Sequence, residues 1–185
     1  CPVSTDEVQI RLDQTPTGSN AGTDQVVCGT SATLGGNLPA IGTGVWTISA
    51  GAGGSVITPS SPTSPFTGVA GTTYTLTWTI SNGVCAVSTD DVQIQLDASP
   101  TVSSAGADQN ICGTSAVLGG NVPVTGTGLW SVVSGAGGSF VLNTNPVTTF
   151  NGVAGTTYIL RWTISNGVCP VSTDEVQIRL DQTPT

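Results

Sequence analysis

Cys1, Cys28, Cys85, Cys112 and Cys169 are the residues of this chain with the most chemistry open to them. A catalytic thiol needs a base beside it, and the sequence has neither histidine nor lysine to serve as one. A zinc site needs clustered Cys and His, yet no two cysteines are close in sequence. What remains is disulfide chemistry, which suits a small, core-poor domain in an oxidising, extracellular compartment. The carboxylates are the other candidates. The pairs Asp6-Glu7, Asp90-Asp91 and Asp174-Glu175 put two acids side by side. Neighbours in an extended strand point to opposite faces, so such a pair cannot flank one bond as acid and base. Asp13, Asp24, Asp97 and Asp108 lie near the ends of predicted strands and are the candidate ligands for a linker calcium, which prefers oxygen. No dense run of alternating acids supports that site. No catalytic or cofactor-binding residue is predicted, and no cofactor beyond that calcium.

The cysteines are periodic because the chain is. CPVSTDEVQIRLDQTPT occupies residues 1–17 and returns at 169–185, with the near copy CAVSTDDVQIQLDASPT starting at Cys85. The period is about 84 residues, and about 53 positions of the first copy are identical in the second. This length is too great for a solenoid unit and fits one small β-sandwich. A chain that starts and stops on the same seventeen residues reads as a window on a longer array.

Composition narrows the class. The chain has 25 Gly and only 3 Lys plus Arg against 11 Asp plus Glu, for a net charge of -8. Arg11, Arg161 and Arg179 cannot form the basic surface that nucleic acid requires. The same deficit argues against an anionic membrane surface, and no apolar run reaches spanning length.

The elements that position these residues are strands. No window has a 3.6-residue apolar period, whereas alternation is frequent. Within one copy, strands are predicted at 24–28, 30–34 (TSATL), 44–49 (GVWTIS) and 72–81 (TTYTLTWTIS). In the last of these Tyr74, Leu76, Trp78 and Ile80 share one face. The burial of Trp78 and Trp162 argues against a carbohydrate platform. The Gly-rich runs at 51–55 and 135–139 lack the lysine and helix of a phosphate loop and read as turns. Residues 56–67 differ most between copies and read as edge strands and a loop.

Asn82-Gly83 and Asn166-Gly167 follow the long strands and predict hairpins, through a type I′ turn with positive φ at both residues. The strand from Cys85 then closes the domain that precedes it. Ile80 is expected opposite Cys85 and Trp78 opposite Val87, with a β-bulge near Asp90-Asp91 where the inward positions change parity. The predicted organisation is 1–14 as the last strand of an upstream repeat, 15–98 as repeat 1, 99–182 as repeat 2 and 183–185 as the start of a further linker. The fold class is all-β, with tandem immunoglobulin-like (PKD-like) sandwiches arranged end to end. Pro16 and Pro100 stiffen the linkers.

The string AGTDQVVCGTSATLGGN, with GVWTIS and FTGVAGTTYTLTWTISNGVCAVSTDDVQI, resembles the PKD/Ig-like repeats of very large Bacteroidota surface proteins, among them SprB-type gliding-motility adhesins. The resemblance covers both copies. It implies an extracellular, cell-surface location, export through the type IX pathway and no enzymatic activity. The partners implied are neighbouring repeats of the same chain, with possible self-association into filaments, and neither nucleic acid nor an inserted membrane. Such repeats are structural stalk modules; the rival readings are a repeat that binds glycan or protein, and an ancillary domain of a secreted hydrolase. Two disulfide sets respect the period. Cys28–Cys85 with Cys112–Cys169 keeps each bond inside one sandwich and leaves Cys1 unpaired. Cys1–Cys28 with Cys85–Cys112 is the alternative. The first set is favoured because its bonds stay inside one sandwich, but it requires the first strand to run antiparallel to the last or to cross over, against standard immunoglobulin topology, since a bond needs Cα atoms within about 7 Å.

Overall fold

The fold was described from a computed structural model covering residues 1–183. Fourteen strands form four sheets, with no helix among the described residues. The chain divides into two compact units: Cys1–Gln25 with Ser31–Gln95, and Val26–Thr30 with Leu96–Thr185. The linker start expected at 183–185 lies, beyond Thr183, outside the described residues.

In the first copy the strands are β1 (Gln25–Cys28), β2 (Ser31–Thr33), β3 (Thr43–Ala50), β4 (Ser55–Val56), β5 (Pro65–Thr67), β6 (Thr72–Ser81) and β7 (Ser88–Asp97). They make a sheet ordered β1-β7-β6-β3 and a smaller one ordered β2-β5-β4. The second copy repeats this with β8 (Gln109–Cys112), β9 (Ser115–Val117), β10 (Thr127–Ser134), β11 (Ser139–Phe140), β12 (Thr149–Asn151), β13 (Thr156–Ser165) and β14 (Ser172–Asp181). Its sheets are ordered β10-β13-β14-β8 and β11-β12-β9. Two such sheets of seven short strands are an immunoglobulin-like sandwich.

The alternation in β6 does what the pattern dictates. Tyr74, Leu76, Trp78 and Ile80 are completely buried, and Trp46 of β3 packs on Trp78 with ring centroids 4.9 Å apart. In the second unit Trp130 and Trp162 make the same pair at 5.1 Å, among Leu118, Phe150, Tyr158, Leu160, Val176, Ile178 and Leu180. Each buried indole withdraws some 150–250 Å² from water, about 4–6 kcal/mol of transfer free energy before entropy is charged. The indole N–H groups reach main-chain oxygens: Trp78 Nε1 donates to Asn37 O at 3.2 Å and Trp46 Nε1 to Pro62 O at 3.1 Å.

Tyr74 and Tyr158 hold the Gly-rich turns. Tyr158 Oη accepts from Val153 N and donates to Ala136 O, both at 2.8 Å, and Tyr74 does the same with Val69 N and Ala52 O. Gly135 has φ +100°, and its α-carbon lies against the Tyr158 ring, so this turn requires glycine twice over.

The hairpin differs from its prediction in turn and register. β13 pairs antiparallel with β14, but Ile164 faces Ser172 and Trp162 faces Asp174, where the expected register would have set them opposite Cys169 and Val171. Residues 166–171 separate the two strands, so the connection is longer than two residues. Gly167 has φ +51° and Gly83 φ +57°, while no non-glycine residue among the described residues has positive φ, which excludes type I′ over Asn-Gly. With the longer connection the inward positions of β14 are even-numbered throughout and its register runs without a break past Asp174-Glu175, so the second copy has no bulge at the position equivalent to Asp90-Asp91. Bulges occur instead in β3 between Ile48 and Ala50 and in β10 between Val132 and Ser134.

Candidate functional site

The cysteines and the strand-end aspartates converge. β14 pairs parallel with β8, Asp181 beside Cys112, and Gly113 N donates to Asp181 O at 2.9 Å. The first copy carries the same bond from Gly29 N to Asp97 O, also 2.9 Å. The cysteine that ends the first strand of a copy therefore lies at the exit of that copy's last strand, away from its own hairpin turn. This overturns both expected disulfide sets. Cys28 is bonded to Cys169, not to Cys85 or Cys1, with Cα atoms 4.8 Å apart and a separation of 141 positions in sequence. Cys112 is consequently not bonded to Cys169 or to Cys85; Cys1, Cys85 and Cys112 are free thiols. The reason is the one that weighed against the favoured set: a first strand parallel to the last cannot reach the turn where the last begins.

Around the bond, Asp97 organises the turn at 166–169. Its Oδ2 accepts from Val168 N at 2.9 Å, its carbonyl oxygen lies 3.5 Å from Cys169 Sγ, and Asn166 Nδ2 donates to Ala98 O at 2.8 Å. A Cβ on Gly167 would collide with the Asp97 carboxylate, so glycine here serves close approach as well as positive φ. The first unit repeats the arrangement without a bonded cysteine. Asp13 Oδ2 accepts from Val84 N at 3.2 Å, Cys85 Sγ lies 3.5 Å from Asp13 O, and Asn82 Nδ2 donates to Gln14 O at 2.8 Å.

The other acids act on the backbone too. Asp24 Oδ1 accepts from Gln93 N and Asp108 Oδ1 from Gln177 N, each at 2.8 Å. Asp90 and Asp174 split from their acidic neighbours as alternation requires: Asp90 Oδ2 takes Ala21 N at 2.8 Å and Asp174 Oδ2 takes Ala105 N at 2.7 Å. Glu175 turns outward to Arg161. Ser88 and Ser172 accept from Ser19 N and Ser103 N. The sequence reading missed Ser88 and Ser172, and read Asn82 and Asn166 as turn residues without their amide contacts; recurrence one period apart was the available signal. The candidate calcium residues Asp13, Asp24, Asp97 and Asp108 are not gathered together, and no group of three or more metal-binding side chains occurs among the described residues. No pocket is present there either. All four tryptophans are buried, Trp46 and Trp130 as well as the two expected. Among the described residues no helix is long and apolar enough to cross a membrane.

No family model matches the chain, and no curated protein matches it. Solved structures do. The immunoglobulin domains 1–4 of Sidekick-1 match with a TM-score of 0.59 at 10% identity, over 93% of this chain and 50% of that one. Murine CEACAM1b matches with a TM-score of 0.54 at 16% identity, over 85% and 96%. The insect immune protein hemolin matches with a TM-score of 0.52 at 10% identity, over 90% and 47%. The chain thus spans about half the length of the Sidekick-1 and hemolin structures. At such identities the likeness is one of architecture, and it establishes the immunoglobulin-like sandwich as the fold of this chain.

Proposed function

We propose that this chain is a structural spacer from a repetitive extracellular adhesin or surface filament, with repeats at 15–98 and 99–182 and residues 1–14 belonging to a preceding repeat. The observation that carries the reading is the Cys28–Cys169 bond. Force entering before Cys28 and leaving after Cys169 passes through one covalent bond and bypasses the residues between. Unfolding then cannot lengthen the chain by the ~500 Å those 141 residues would yield when extended. A tether under load gains directly from such a bypass. The disulfide and the acidic surface, with a net charge of -8, also support an extracellular location and a chain that repels its copies at a distance. The repeat motifs favour the Bacteroidota surface proteins as the finer reading, with gliding motility and type IX export as its consequences.

Pulling the chain from its ends by atomic force microscopy tests the proposal. Oxidised chain should extend on the order of 500 Å less than chain reduced before stretching. Equal extensions would remove the mechanical argument. Specific binding to a glycan array by the unstretched chain would replace it with the recognition-module reading.

A further inference from the structure

The chain has three Asn-Gly steps, at 82–83, 151–152 and 166–167. In this dipeptide the main-chain nitrogen of glycine can attack the side-chain carbonyl carbon of asparagine, because no Cβ stands in the way. The hold of the fold on the two groups decides whether it does. Asn151-Gly152 lies at the end of β12, where Asn151 pairs with Ser115 of β9 and Gly152 N donates to Thr114 O at 2.8 Å. Pairing of this kind keeps the nitrogen away from the side chain until the strand opens.

Asn166-Gly167 is held differently. Its turn closes with Cys169 N on Asn166 O at 3.1 Å, and Gly167 has φ +51° at the first central position. Gly167 is exposed, and its N–H has no hydrogen-bond partner among the described residues. The restraint therefore lies on the side chain. Asn166 Nδ2, the atom that would leave, donates to Ala98 O at 2.8 Å and fixes the carboxamide. Asp97 ties the turn to β1, since its carboxylate takes Val168 N and its carbonyl oxygen takes Gly29 N. The Cys28–Cys169 bond closes the circuit covalently. All of these residues belong to one compact unit.

We propose that Asn166 is a deamidation site kept latent by the Cys28–Cys169 bond. While the bond is intact, the turn holds the carboxamide on Ala98 O. A dithiol reductant passes two electrons and two protons to the cysteine sulfurs and becomes a disulfide itself. The released turn then opens often enough for Gly167 N to reach Cγ of Asn166. As that nitrogen bonds to Cγ it gives up its proton, the Cγ–Nδ2 bond breaks, and ammonia leaves with the proton. The cyclic imide that remains adds water at one of its two carbonyls and becomes aspartic or isoaspartic acid. Asparagine and water have become acid and ammonia, with no change of oxidation state. The new carboxylate cannot donate to Ala98 O, and it stands beside the like charge of Asp97. Isoaspartate also lengthens the main chain within the turn. Either product presents Cys169 poorly to Cys28, so loss of the bond becomes permanent.

The test uses the chain with Cys1, Cys85 and Cys112 replaced by serine, with and without C28S/C169S, in mildly alkaline buffer made with heavy-oxygen water. Trypsin, cutting after Arg161 and Arg179, isolates Asn166 in the peptide 162–179, and a second protease reports on Asn151. Asn166 should take up labelled oxygen about tenfold faster or more in C28S/C169S than in the bonded chain, while Asn151 stays slow in both. The bonded chain incubated with dithiothreitol should follow the double variant. Once the reductant is removed, converted chain should recover few Cys28–Cys169 bonds, and Asn166→Asp should reoxidise slowly from the start. Equal rates at Asn166 with and without the bond would overturn the proposal. So would equal acceleration at Asn151, which would mean that the whole fold had opened, or full reoxidation of converted chain.

Discussion

The α-carbon of Gly44 lies against the indole of Trp78, so close that a Cβ there would sit inside the ring's van der Waals surface at Cζ2. Gly128 stands in the same relation to Trp162. Neither glycine has positive φ, so the need is for space and not for conformation. Gly44→Ala must push aside a ring that is completely buried and hydrogen-bonded to Asn37 O. Overpacking of this kind costs about 1–3 kcal/mol. Gly18→Ala, at a position with nothing within 4 Å of the new carbon, is the control and should change stability little. Urea denaturation followed by tryptophan fluorescence measures both; equal midpoints for G44A and G18A would disprove the close contact.

Tyr158 is wholly buried, and its hydroxyl is the shared partner of Val153 N and Ala136 O. Tyr158→Phe keeps the ring in place and leaves a donor and an acceptor to find water. Each unsatisfied group costs about 1–3 kcal/mol, so the variant should melt several degrees below the parent. Calorimetry decides the point, and an unchanged melting temperature would mean that water reaches both groups.

Much of this was legible beforehand, and the failures share one cause. The long strands β6 and β13 announce themselves because four large apolar residues recur at every second position, alternating with Thr in β6 and with Ile159, Arg161 and Thr163 in β13, and one face must be buried. The tyrosine and tryptophan core followed from that pattern. The direction of β1 did not, because QVVC is four residues with no feature that distinguishes parallel from antiparallel pairing. Asn-Gly correctly marked a hairpin but not its turn type. Asp13 and Asp97, roughly seventy residues before their turns, hold Val84 N and Val168 N and so stabilise the longer connection. Strand direction and turn length together decide which cysteines meet. Periodicity alone could not supply the pairing, since every set compatible with the repeat satisfies it equally.

The four aspartates once candidates for calcium are each engaged by a peptide N–H. A chelator should therefore leave the thermal transition where it is. Asp97→Ala should lower stability by about 1.5–3 kcal/mol, the usual worth of a hydrogen bond to a charged group, because the turn at 166–169 loses its cap. A melting temperature that rises by several degrees with millimolar calcium would restore the metal reading.

The Cys28–Cys169 bond should resist reduction and contribute to stability. Cys169 is 5% accessible and Cys28 is half-buried, so without local opening a thiolate has access to the bond only at Cys28. Millimolar dithiothreitol should cleave it slowly in buffer and rapidly in guanidinium. A bond that closes 141 residues removes much freedom from the unfolded chain, about 5 kcal/mol in the chain-entropy treatment, and native cysteines commonly return about 2–5. The loop encloses parts of both compact units, so the loss should appear in every unfolding transition that depends on unfolding between residues 28 and 169. The comparison is best made in a background where Cys1, Cys85 and Cys112 are serine, which prevents reshuffling. There the double variant C28S/C169S should melt well below its parent, and the parent, once reduced, should match the double variant. If parent and double variant melt together, the bond constrains nothing that folding has not already constrained.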